Sequence, residues 1–138
     1  MQTKQNHAIR LIFFARAFGE QTDSAVPLIN LLELLTVNNV YRLHALRFTH
    51  LRHKNLPNVF HNFFKYASSL HTYNTRYAAS QNLYKSRLRT NSGKQTISYV
   101  ASIFWHNIPS YLKNLNVYQF PKQIKLYLFS EQLENSMK

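Results

Sequence analysis

Apolar residues recur at three- and four-residue spacing at Ala8, Leu11, Ile12, Ala15 and Phe18, which predicts a helix over residues 4–18 with Arg10 and Arg16 off the stripe. Gly19 stands where a helix C-terminal glycine is expected. A polar connector over 20–27 ends at Pro27, and the apolar run 28–35 predicts a short helix or turn. A second helix is expected over 38–52. Val37, Val40, Tyr41, His44, Phe48 and Leu51 share its apolar face, and Arg42, Thr49 and Arg52 share the other. Pro57 suits the first position of a third helix running through Tyr66.

Residues 67–82 are polar and poor in aliphatic side chains, so they predict a loop. Residues 84–90, the Asn91-Ser92-Gly93 triplet and residues 96–100 predict a short hairpin, with Lys85, Arg87 and Arg89 pointing one way. Helix returns over 101–115, with Pro109 a kink or a helix start. A last helix over 118–133 turns Phe120, Ile124, Tyr127 and Leu128 inward and Lys122 and Lys125 outward. The fold class expected is mainly α: a single compact helical domain with one short β-hairpin. Within it, residues 1–66 form a helical segment, and 67–138 carry the basic loop, hairpin and C-terminal helices.

Composition supports a folded chain. Of 138 residues, 45% are hydrophobic and only two are Gly and four Pro, which argues against long structureless tracts. Charge changes the picture more. Seventeen Lys and Arg meet five Asp and Glu, for a formal +12 and a pI of about 10.2. Between Glu33 and Glu131 there is no acidic residue, while thirteen Lys or Arg fall in that span. A field of this sign favours polyanions. The basic residues spread over several elements rather than beside one apolar face, which favours nucleic acid over a membrane surface. The apolar run 11–15 is too short for a signal-peptide core or a bilayer span.

Little in the sequence supports chemistry. With no Cys there are no disulfides, zinc fingers or thiol nucleophiles. Glu20 and Asp23 form a possible carboxylate pair, but in a polar connector such acids are usually solvated or capping. There is no glycine-rich phosphate loop and no nucleophile elbow. His44, His50, His53 and His61 cluster in sequence without Cys or acid to complete a metal set, and His44 on the apolar stripe suits a hydrogen-bonded core histidine. No catalytic residue, metal site, cofactor or small-molecule substrate is expected.

The stretch HTYNTRYAASQNLYKSRLRTNSGK (71–94) holds five Lys or Arg, three Tyr and no acid. Lys and Arg on a loop and hairpin neutralise phosphates, and interleaved Tyr73, Tyr77 and Tyr84 are placed to stack on unpaired bases. The candidate nucleic-acid contacts are Arg76, Lys85, Arg87, Arg89 and Lys94 for phosphates and Tyr73 or Tyr77 for stacking. Trp105 is expected as a core anchor beneath the hairpin.

The motifs HTYNTR (71–76), RTNSGKQTISYVA (89–101) and FWHNIP (104–109) follow one another as in the tail of non-LTR, LINE-type reverse transcriptases, particularly the jockey-like elements of animals. QNHAIRLI (5–12) resembles the helix that follows the palm in that family, and PLINLLELLTVNNVYRL (27–43) resembles the next segment. Phe120, Lys122, Ile124 and Lys125 match a final F-K-x-x-I-K helix loosely, with Pro121 intruding. The resemblance covers about residues 5–128. It departs at His7, where a basic residue is usual, at His106, commonly Asn, and at Ala101, a frequent Gly position.

The resemblance implies the thumb-side, C-terminal portion of an RNA-directed DNA polymerase, beginning downstream of the paired catalytic aspartates. No Asp-Asp occurs here, so the chain alone is expected to be inactive. Its implied partners are RNA or DNA and the palm and fingers of the same polyprotein, and its implied compartment is the nucleus. The alternatives are a structural or protein-interaction domain and a free-standing basic RNA-binding protein.

Overall fold

The computed structural model describes residues 1–14, 25–51, 57, 60, 63–70, 73, 75–137. Among these lie eight α-helices: α1 Gln2–Phe14, α2 Val26–Leu31, α3 Val37–Leu51, α4 Arg76–Ala79, α5 Asn91–Lys94, α6 Ile97–Asn107, α7 Ser110–Lys113 and α8 Phe120–Ser136. The mainly helical character expected from periodicity is present, and no sheet forms among the described residues. The chain divides into two compact units. Unit 1 comprises Met1–Tyr41 and Lys125–Lys138, and unit 2 comprises Arg42–Ile124.

In unit 1 the core holds Ile9, Ala25, Ile29, Leu35 and Leu128. Among the side chains described on α1, Ile9 is buried, while Ala8 and Leu11 from the expected stripe are exposed. Ala15, Phe18 and Gly19 lie outside the described residues. α2 begins with Pro27 in its first turn, where a missing N–H costs nothing. It ends in a Schellman arrangement: Leu34 N–H donates to Ile29 O and Glu33 N–H to Asn30 O. That closure puts Glu33 at φ 51°, a conformation glycine adopts more readily.

The start of α3 is satisfied by distant amides rather than by a local cap. Val37 N–H donates to Gln2 Oε1 and Gln5 Oε1, both at 3.1 Å, and Thr36 N–H donates to Gln132 Oε1 at 2.9 Å. Gln132 is buried and uses its whole side-chain capacity. Its Oε1 also accepts from Asn39 Nδ2 at 3.1 Å, and its Nε2 donates to Asn30 Oδ1 at 2.9 Å and Leu34 O at 3.0 Å. Gln132→Ala strands these partners in a buried setting and is expected to cost about 3 kcal/mol in urea unfolding followed by circular dichroism. Gln132→Glu keeps the two accepted bonds and loses both donated ones, so its loss should shrink in acid, where the carboxyl regains a proton to donate.

The inward face of α3 differs from the expected one. Asn39, Ala45, Leu46 and Thr49 are buried, whereas Val40, Tyr41 and His44 are exposed. Two polar residues enter the core because each is satisfied there. The Asn39 amide reaches Gln132 and Leu128 O, and Thr49 Oγ1 donates to Ala45 O at 2.8 Å. His44 is exposed, and the histidine hydrogen-bonded beside the core is the half-buried His50. Its Nε2 lies 2.9 Å from Leu115 O, and its ring stacks on Phe120 at 4.0 Å and 8°.

Unit 2 is organised around Trp105, Phe120, Leu46, Leu83, Leu112 and Ile124, all almost fully buried. Pro109 caps the start of α7, in agreement with one of the two roles expected of it. Phe120, Ile124 and Leu128 are inward on α8, and Lys122 and Lys125 are exposed, as the spacing predicts. A helix from Pro57 through Tyr66 does not form at its far end. Tyr66 instead makes an antiparallel bridge with Leu83.

The expected hairpin is absent. Residues 85–89 run without regular structure, and the pairing falls instead between 82–84 and 65–67, through Ala67 N–H to Asn82 O at 2.9 Å and Tyr84 N–H to Lys65 O at 2.8 Å. Asn91-Ser92-Gly93 begins α5, a helical turn capped by Thr90 Oγ1, which accepts from Gly93 N–H at 3.2 Å. A Cβ on Gly93 would lie 3.1 Å from that oxygen, so glycine suits the close approach. Residues 97–107 are helical because Ala101, Trp105 and Ile108 repeat at helical spacing and are all buried. The expected loop over 67–82 contains a 3-10 turn at Ala67–Ser69 and the short helix α4.

Candidate nucleic-acid interface

The turn at 80–83 fixes where the basic segment emerges. Gln81 adopts φ 55°, and its carbonyl accepts from Trp105 Nε1 at 3.0 Å. Tyr77 Oη donates to Leu83 O at 2.8 Å, and Asn82 Nδ2 donates to Tyr77 O at 3.0 Å. Lys113 reaches in from α7, its Nζ donating to Asn82 Oδ1 at 2.9 Å and Ser80 O at 3.3 Å. Trp105 is thus a core anchor, beneath this turn rather than beneath a hairpin.

From the turn, residues 84–89 lead outward. Lys85, Arg87 and Arg89 are exposed and line one cleft of about 410 Å³ with Ser86, Leu88 and Tyr99. Lys85 Nζ lies 5.2 Å from the Tyr99 ring centroid, a cation–π contact that orients the ammonium. The amides of residues 85–89 make no hydrogen bond among the described residues. α6 opens beside them without a side-chain cap, since Thr96 Oγ1 donates to Gly93 O. Its positive end adds to the local field.

Of the residues expected to bind nucleic acid, the fold brings Lys85, Arg87 and Arg89 together. Arg76, on the first turn of α4, and Lys94, on α5, are exposed but do not line this cleft. Tyr73 is 78% exposed. Tyr77 is half-buried, with its hydroxyl committed to Leu83 O and its ring 5.2 Å from His106, and burial raises its phenol pKa. The sequence reading passed over Phe63, Lys65, Ser98 and Tyr99, which border the same segment. The run Phe63-Phe64-Lys65 mixes rings and charge as the 71–94 stretch does, and is the signal that would have found two of them.

Charge is partitioned between the units. Of the thirteen Lys and Arg between Glu33 and Glu131, all but Lys125 belong to unit 2, which has no Asp or Glu. In unit 1, Lys4, Arg10, Arg16, Lys125 and Lys138 meet all five acids, so that unit is formally neutral. The entire +12 therefore sits in unit 2.

Lys113 shows the effect locally: it is buried, with carbonyl oxygens rather than a carboxylate around its ammonium. Burial lowers its pKa below the ordinary lysine value. Below its folded pKa both folded and unfolded states are protonated, and burial costs stability. Between the folded and ordinary values the unfolded state binds the extra proton, so stability rises with pH. The unfolding free energy of the wild type relative to Lys113→Met is therefore expected to climb between neutral pH and the ordinary lysine pKa, as measured by urea unfolding across that range. A flat difference would contradict the burial.

Among the described residues no group of His and acids is arranged to hold a metal, and no helix is long and apolar enough to cross a membrane. His53 and His61 lie outside them. No family model, curated protein or solved structure matches the chain.

Proposed function

We propose that this chain is a non-catalytic nucleic-acid-binding portion of an RNA-directed DNA polymerase of the LINE-type retrotransposon class. In this reading it is the thumb-side, C-terminal part, and unit 2 grips template RNA or primer and target DNA for a palm elsewhere on the polyprotein. The observation that carries the binding function is the confinement of the whole excess charge to unit 2, with no internal carboxylate to neutralise it. Such a unit repels itself, and a polyanion that binds only the folded form stabilises it by mass action. The assignment to a polymerase rests on the resemblance of the ordered motifs, and the lack of paired aspartates makes the role one of binding rather than catalysis.

The test is fluorescence anisotropy of labelled oligonucleotides at increasing salt. Phosphate contacts release counterions, so the three clustered cations alone give a log–log slope of about −2 to −3. Salt-insensitive binding, or no binding at low salt, would remove the function.

A further inference from the structure

A second cleft adjoins the cationic one and differs from it in chemistry. It has a volume of about 440 Å³ and is lined by Phe63, Lys65, Tyr84, Ser86 and Ser98. Ser86 lines both clefts. Phe63 is 45% exposed and Tyr84 50%, so two large rings border open space instead of entering the core. The Phe63 ring is backed by Phe60 at 5.6 Å, and Phe60 in turn meets Phe48 edge-on at 5.5 Å. The two walls are tied together by the hydrogen bond from Tyr84 N–H to Lys65 O and by the Tyr66–Leu83 bridge. A ligand entering there meets a site already formed, which lowers the ordering cost of binding.

We infer that the Phe63–Tyr84 cleft is a nucleobase site and the Lys85–Arg87–Arg89 cleft the adjoining phosphate site, so that unit 2 selects an unpaired strand over a duplex. The inference rests on the nucleic-acid reading above and deepens it. Only a strand whose bases are free to splay can place a ring against Phe63 and Tyr84 while its phosphates lie on the arginines; a duplex keeps its bases stacked inside and offers phosphates alone. Ser86, Ser98 and Lys65 supply hydroxyls and an ammonium at the rim, which suit base edges without dictating one base. Charge complementarity commits the occupant: the surrounding unit has no acid, so an acidic strand is favoured at every approach.

The experiment compares a labelled pyrimidine homopolymer with a duplex of equal phosphate count, at one low salt concentration, for the wild type, Phe63→Ala/Tyr84→Ala and Tyr84→Phe. Both positions are about half exposed, and circular dichroism melting confirms that each variant is folded. The wild type is expected to prefer the single strand. The double variant should lose about tenfold on the single strand and little on the duplex, and Tyr84→Phe, which keeps the ring, should bind as the wild type. Equal wild-type affinity for the two probes, or an equal loss on both in the double variant, overturns the base site while leaving the phosphate grip in place. Absence of binding to either probe overturns the underlying reading as well.

Discussion

Arg87→Ala/Arg89→Ala is expected to weaken binding to RNA and DNA alike by about thirtyfold at low salt, taking about 1 kcal/mol for each exposed phosphate contact. The salt slope should fall by about two units, one for each phosphate no longer neutralised. The two guanidiniums are exposed and line one cleft with Lys85, so their removal disturbs no buried contact and the fold should be unaffected. Anisotropy titrations at several salt concentrations separate the two readouts. Unchanged affinity and slope would assign the charge of unit 2 to a different partner, and the protein-interaction alternative would then lead. A loss of affinity with an unchanged slope would mean that the arginines act through structure instead of phosphate contact.

The largest stability effect is expected at Trp105. The side chain is 2% exposed, and its Nε1–H donates to Gln81 O in the turn that launches the basic segment. Trp105→Ala removes the packing, leaves a cavity and strands the Gln81 carbonyl, and should cost about 3–5 kcal/mol. Trp105→Phe keeps most of the apolar contact and loses only the hydrogen bond, at about 1–2 kcal/mol. Urea unfolding by circular dichroism measures both, because the variants lack the chain's only tryptophan as a fluorescent reporter. Equal costs for the two substitutions would show that the hydrogen bond, not the ring, holds the turn.

Helices with strong periodicity or punctuation were readable from the sequence. Pro109 and the Phe120-Ile124-Leu128 spacing placed α7 and α8, because burial at i, i+4 and i+8 leaves little choice of face. The face of α3 was not readable. Its inward positions include Asn39 and Thr49, whose burial depends on Gln132 across a long sequence separation and on a bond within the helix. Residues 84–100 misled for another reason. β-Branched and aromatic residues at 97–100 fit a strand or a buried helix equally well, and the longer apolar repeat through Trp105 decides for helix. Leu83 pairs with Tyr66, which lies just before the polar stretch that the sequence marked as loop. Within the site, the basic residues were legible as charge, whereas Phe63 and Lys65 joined them only through that pairing.

The separation of charge between the units also sets how each responds to acid. Unit 2 has no carboxylate, so every proton it takes up adds positive charge to a unit already at +12. Every acidic side chain belongs to unit 1, so only there can a side chain's proton cancel a negative charge. Acid therefore raises both the self-repulsion of unit 2 and its attraction for a polyanion.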